Sequence, residues 1–140
     1  MPYTDNFRAQ HDEILALAKE VTDHMGRPNA DATLLRKQLS SLAGKVNFHL
    51  AMEDKALYPR LMAAKGSAAE ALAGKFMTEM GGLARVFTDY NARWQVSTIR
   101  GDMAGFGEET RKVFGALAHR IARENTQLYP LADAADGVGA

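Results

Sequence analysis

The sequence predicts an all-α fold, an antiparallel up-down-up-down four-helix bundle with an internal two-fold repeat of helix pairs. Three observations carry this expectation. Apolar residues recur at helical spacing along the chain, and no stretch alternates with period two. Glycines and prolines divide the pattern into four segments of roughly 20 to 30 residues with short connections, which suits up-and-down neighbours. The second and fourth segments carry the same Glu-x4-Tyr-Pro spacing, at Glu53-Tyr58-Pro59 and Glu124-Tyr129-Pro130.

The first segment runs from about Asp5 to Met25, with Phe7, His11, Ile14, Ala18 and Val21 as its core stripe. Gly26, Pro28 and Asn29 break it. Asp31 is placed to cap the second segment. The stripe there is Leu35, Leu39, Leu42, Val46, His49, Glu53 and Leu57. Pro59 is expected to end or kink this helix, because proline lacks a backbone donor and clashes with the preceding turn. Ser67-Ala68-Ala69-Glu70 reads as a capping box opening the third segment. Its stripe is Leu72, Phe76, Met80, Leu83, Phe87, Tyr90 and Trp94, with Gly101 at the next corner. The fourth runs from about Asp102 to Leu128 on Val113, Leu117, Ile121, Glu124 and Leu128, and Pro130 is expected to close it. One domain over residues 1–133 and a small, Gly-rich flexible tail over 134–140 follow.

Composition excludes several function classes. Seventeen basic residues balance seventeen acidic ones, giving no reason to expect nucleic acid or an anionic membrane as partner. No apolar run is long enough to span a bilayer. The N-terminus has no signal-peptide pattern, and a cytoplasmic location is the default expectation. With no cysteine, thiolate metal sites, disulfides and thiol catalysis are out. No nucleophile–base pair stands out, and Gly105-Phe106-Gly107 lacks the strand that a phosphate loop needs.

The repeat also relates the first and third segments. Phe7 pairs with Phe76, Gln10 with Glu79, His11 with Met80 and Ile14 with Leu83. His11, His49, Glu53 and Glu124 all fall on apolar stripes. A buried, unpaired carboxylate is costly, and two in one small core demand a shared partner. A cation would satisfy both, and histidine with carboxylate suits iron, manganese or zinc. His49 and Glu53, four apart, share one helix face. A buried His/Glu/Arg hydrogen-bond network is the alternative.

His11, His49-x3-Glu53 and His119-x4-Glu124, with Tyr-Pro ending each glutamate helix, resemble the hemerythrin family, in particular bacterial hemerythrin-like (HHE cation-binding) domains. The resemblance spans nearly the whole chain. It implies a four-helix bundle with a non-haem di-iron site that binds oxygen, senses oxygen, nitric oxide or iron, or handles peroxide. By resemblance Glu53 and Glu124 bridge the metals, with His11, His49 and His119 as terminal ligands.

Two departures stand out. The family's third helix supplies histidine, where this chain has Phe76 and Met80. Met80 is core filler or a thioether ligand. Glu79, about 60° off the seam, is either a substitute ligand or a solvated flank residue. The missing histidine opens the range from two irons to one or none. The second departure is spacing. Five residues of regular α-helix leave His119 about 140° from Glu124. Both face one centre only if a π-bulge lies between them. Without one, Arg120 or Arg123 becomes the closer neighbour of Glu124.

Gly81 and Gly82 either thin the wall beside the site or mark a kink. His24 reads as exposed and structural. Tyr58 and Tyr129 pack over the bundle ends, with a role behind the metal ligands left open. Three functions compete: a metal-binding sensor or carrier of O2 or NO, a degenerate bundle without iron that serves as an interaction module, and a di-iron enzyme consuming peroxide or nitric oxide.

Overall fold

The computed structural model describes residues 3–139, with side chains described as far as residue 134. Among the described residues every regular element is helical. Eight α-helices run in order: α1 Asp5–Met25, α2 Ala32–Met52, α3 Tyr58–Met62, α4 Ala68–Met80, α5 Leu83–Arg93, α6 Val96–Gly101, α7 Met103–Arg123 and α8 Tyr129–Gly139. Two π-helical turns, Glu53–Leu57 and Glu124–Leu128, join α2 to α3 and α7 to α8. α1 packs on α2 and α7, and α5 packs on the same two. That pattern of neighbours is consistent with a four-helix bundle.

Helix starts are chemically specified. Asp31 accepts the Thr33 and Leu34 amides, and Asp102 accepts that of Gly105, so each satisfies donors that have no partner within the helix. Gly105 makes room for its cap: a Cβ there would lie 2.2 Å from the Asp102 carboxylate. Ser67 Oγ accepts from the Glu70 amide, and Glu70 reaches back to the Gly66 amide, one residue before the reciprocal bond of a capping box. Gly66, at φ +79°, turns the chain into this start.

The structure refines the expected boundaries at three places, the break at Gly81–Gly82 being the kink that the paired glycines offered. The prolines do not end their helices. Each is preceded by a π turn, closed by Tyr58 N–H to the Glu53 carbonyl and by Tyr129 N–H to that of Glu124. The wider turn accommodates a residue that cannot donate and whose ring crowds the turn before it. The third stripe breaks at Gly81–Gly82, where a Cβ on Gly81 would sit 2.4 Å from the Met77 carbonyl oxygen. The corner before α7 contains α6, and Arg36 of α2 secures its entry by donating to the Asn91 and Trp94 carbonyls. The tail expected over 134–140 falls almost wholly on residues whose side chains lie outside the description.

The core has two apolar clusters. One contains Ile14, Leu39, Leu42, Val46, Leu50, Phe87, Tyr90, Leu117 and Ile121. The other holds Phe7, Leu57, Tyr58, Phe76, Leu128 and Tyr129. Along α1 the change from one to the other falls at His11, between Phe7 and Ile14. Along the second stretch it falls at Glu53, between Leu50 and Leu57, and along the fourth at Glu124, between Ile121 and Leu128. The chain therefore sandwiches a polar layer between two hydrophobic ones, where ionic groups are poorly solvated and must satisfy one another.

Candidate metal centre

Four side chains meet in this layer. His11, His49, Glu53 and Glu124 are all buried, and each offers a ligand atom within 4.8 Å of the others. Both imidazoles are held in the same way. His49 Nδ1 lies 2.6 Å from Gln10 Oε1, and His11 Nδ1 lies 2.8 Å from Asn125 Oδ1. An amide oxygen only accepts, so each Nδ1 carries a proton; the neutral His49 ring is left with a lone pair on Nε2, whereas His11 Nε2 is hydrogen-bonded to Glu124.

Both Nε2 atoms lie close to carboxylate oxygens. His49 Nε2 is 3.1 Å from Glu53 Oε1, and His11 Nε2 is 3.1 Å from Glu124 Oε1. The first pair is close but not bonded: His49 Nε2 is buried and has no hydrogen-bond partner. Burial foremost, with Arg120 adding to it and the Glu124 charge opposing, lowers the His49 pKa to about 4, so the ring is neutral. A buried lone pair without a partner is unfavourable, and a cation beside it would supply the missing partner. Atoms bound to one transition-metal ion at about 2.1 Å stand roughly 3.0–3.4 Å apart; the two His–Glu pairs have that spacing, and all four ligand atoms lie within 4.8 Å of one another. The four residues thus fit a metal ion by donor type and proximity, with Gln10 fixing the His49 tautomer and Asn125 holding the His11 ring.

The glutamates differ in charge state. Burial, then the neighbouring Glu124 charge, pushes the Glu53 pKa well up. Burial also acts on Glu124, but the His11 hydrogen bond and the Arg120 charge outweigh it and hold its pKa low. Glu124 is the fixed anion, and Glu53 retains a proton while no stronger cation competes.

Arg120 is the residue the stripe pattern missed. It is 1% exposed, lying four before Glu124 just as His49 lies four before Glu53. Its Nε donates to Glu124 Oε2 at 3.1 Å, and its Nη2 to Glu53 Oε1 at 3.3 Å and Asp54 Oδ1 at 3.4 Å. Nη1 reaches the Met80 carbonyl at 3.4 Å. Surrounding carboxylates overcome burial and keep the guanidinium charged.

The tyrosines cross between halves. Tyr58 OH donates to Glu124 Oε2 at 2.7 Å, and Tyr129 OH donates to Glu53 Oε2. On a regular α-helix residues five apart diverge by about 140°. The π turn places each tyrosine over its own glutamate's face, from where it reaches the opposite glutamate. The repeated Glu-x4-Tyr-Pro was the signal for this arrangement, with proline giving the reason for the wide turn.

His119 and Glu79 lie outside the cluster. The helix is regular from Met103 to Arg123, and the π turn begins at Glu124 rather than ahead of it. His119 therefore points outward and lines a surface pocket of about 310 Å³ with Glu79, Met80 and Gly82. Glu79 is bonded to Arg123, and its pKa is lowered by that bond first. Met80 packs at the edge of the second apolar cluster. His24, read as exposed, is 5% exposed and structural: it contacts Gln38 at 2.8 Å and accepts the Asp31 amide at 3.1 Å, joining α1 to the start of α2.

The sequence profile of the Hemerythrin HHE cation binding domain matches residues 3–132. No curated protein and no solved structure matches the chain.

Proposed function

The chain belongs to the hemerythrin HHE cation-binding family, and from that premise we propose a non-haem metal centre held by His11, His49, Glu53 and Glu124. The observation that carries the reading is His49 Nε2, a buried lone pair without a partner, 3.1 Å from a Glu53 oxygen that it does not hydrogen-bond. A mixed imidazole–carboxylate set suits iron in a protein whose family binds small gaseous ligands. We therefore read the chain as an iron-dependent sensor or carrier of a diatomic gas such as O2 or NO. Four long helical stretches running up, down, up and down complete the reading, supported by their short corners and packing neighbours. When bound, the metal would supply a Lewis-acidic, redox-active position. The protein's part is to present a neutral His49 beside His11, exclude bulk water with two apolar layers and fix both carboxylates through Tyr58, Tyr129 and Arg120.

A metal-free structural role is the second reading. It is favoured by one observation: Arg120 already bridges both glutamates. Metal analysis separates the two. Protein purified without chelator and reconstituted anaerobically with ferrous iron is expected to retain stoichiometric metal, and Glu124→Gln to lose most of it. Retention below a tenth of an ion per wild-type chain overturns the metal reading.

A further inference from the structure

The two halves present unequal donors to the polar layer. Superimposing the repeats on their glutamates makes Arg120 the counterpart of His49, and the first-to-third segment pairing makes Met80 the counterpart of His11. One half thus offers two imidazoles, and the other brings a guanidinium into the layer while Met80 packs at the edge of an apolar cluster. Glu53, Glu124, Tyr58 and Tyr129 are shared, each glutamate taking a tyrosine from the opposite half.

We infer that this chain binds one metal ion, not two, because the Arg120 guanidinium stands permanently where a second cation would bridge Glu53 and Glu124. The inference rests on the metal reading above and narrows the dinuclear expectation that the resemblance raised.

Geometry supports it first. The guanidinium contacts one oxygen of each glutamate, the connection that a bridging ion would make. Its Nη1 anchors on the Met80 carbonyl at the glycine break, and the Tyr58 ring lies 5.4 Å from Cζ. It therefore has partners on four sides and no solvent route, being 1% exposed. Displacing it would bury an unpaired cation or force the end of α7 to reorganise.

Charge balance points the same way. Glu53, Glu124 and Asp54 all touch the guanidinium and supply three negative charges when ionised. Arg120 and one divalent ion supply three positive charges. A second divalent ion would leave the layer doubly positive between two apolar clusters, without a histidine to hold it. The donor inventory agrees: the buried His/carboxylate group contains His11 and His49 as its imidazoles, whereas His119 is exposed.

The test is metal stoichiometry of the full-length chain after anaerobic loading with excess ferrous iron and desalting, for wild type and for Met80→His/Arg120→His. About one iron per chain in wild type, rising to about two in the double variant, is the expected result. Two irons in wild type overturn the inference, as does a folded double variant that stays at one. No iron in wild type overturns the metal reading itself, which distinguishes the two failures. Should the double variant not fold, wild type loaded with manganese(II) decides the point by electron paramagnetic resonance. Isolated-ion signals accounting for all bound manganese support one site, and an exchange-coupled pair refutes it.

Discussion

The first and second halves of this chain carry the same frame and different contents. Each has a buried glutamate, a π turn beginning at it, a buried tyrosine five residues on and a proline after that. The frame does the same work twice, aiming each tyrosine at the other half's glutamate. The contents diverge one turn earlier, at His49 and Arg120, and on the facing helix, at His11 and Met80. One half can donate lone pairs to a cation, and the other brings a cation of its own. The halves thus share the backbone device and the carboxylates, while Arg120, in the place that His49 takes in the first half, changes the charge of half the layer.

Removing the guanidinium is the most disruptive way to break this comparison. Arg120→Leu in metal-free protein leaves Glu124 ionised without its main cation. A loss of about 3–5 kcal/mol is expected, read by urea denaturation. Added ferrous iron should restore part of that stability, since a metal can then take the vacated contacts. Arg120→Leu within about 1 kcal/mol of wild type would show that the bridge is not needed.

The acid response sharpens the contrast between the halves. His49 titrates at about 4 when folded against 6.5 when unfolded, so the unfolded chain binds more protons between those values. Stability from His49 is present above about 6.5 and is lost as pH falls towards 4, by roughly 3 kcal/mol. Glu53 acts oppositely. Its raised pKa means that the folded state keeps a proton the unfolded chain releases above 4.5, so its contribution is present below 4.5 and is lost as pH rises. Glu124, lowered to about 2, matters only as pH falls from 4.5 towards 2. Metal-free Glu53→Gln should therefore lose stability more steeply than wild type between pH 6.5 and 4.5. Urea midpoints across that range check it, and a flatter profile for the variant contradicts the assignment.

A smaller effect addresses how the first half holds its imidazole. Gln10→Ala removes the acceptor that fixes the His49 tautomer, and metal affinity is expected to fall about 10- to 100-fold. Competition with a chelator of known affinity measures it. An unchanged affinity would mean that helix packing alone orients the ring.

The adjacent glycines at the break in the third stretch give the smallest contrast. Gly81→Ala is expected to destabilise by about 1–3 kcal/mol, because its Cβ meets the Met77 carbonyl oxygen at 2.4 Å. Gly82→Ala meets nothing within 4 Å and should be neutral or stabilising by up to about 1 kcal/mol. Thermal unfolding of the two variants separates a required backbone approach from a tolerated residue.

Several features were legible before any coordinates. Helical periodicity located the four long stretches, and Asp31 and Ser67 marked their starts, because period and capping are local properties. The polar layer was legible as well: His11, His49, Glu53 and Glu124 sit on stripes that are otherwise apolar. Arg120 was harder to read, since arginine is rarely fully buried without partners, and its partners come from distant segments. His24 was misread for a similar reason: Gln38 and the Asp31 amide, which satisfy it, become neighbours only once α1 and α2 pack.

The sequence by itself determined the helical class, the repeated glutamate–tyrosine–proline frame and the exclusion of thiol chemistry, all consequences of local pattern and composition. Only the tertiary structure decided that the π turn follows Glu124 instead of preceding it. That single placement turns His119 to the surface, brings Tyr129 inward and leaves Arg120 beside the glutamates. One residue of helical phase changes which side chain faces the core, and phase around a proline is set by packing on both sides of the helix, which no short stretch of sequence contains.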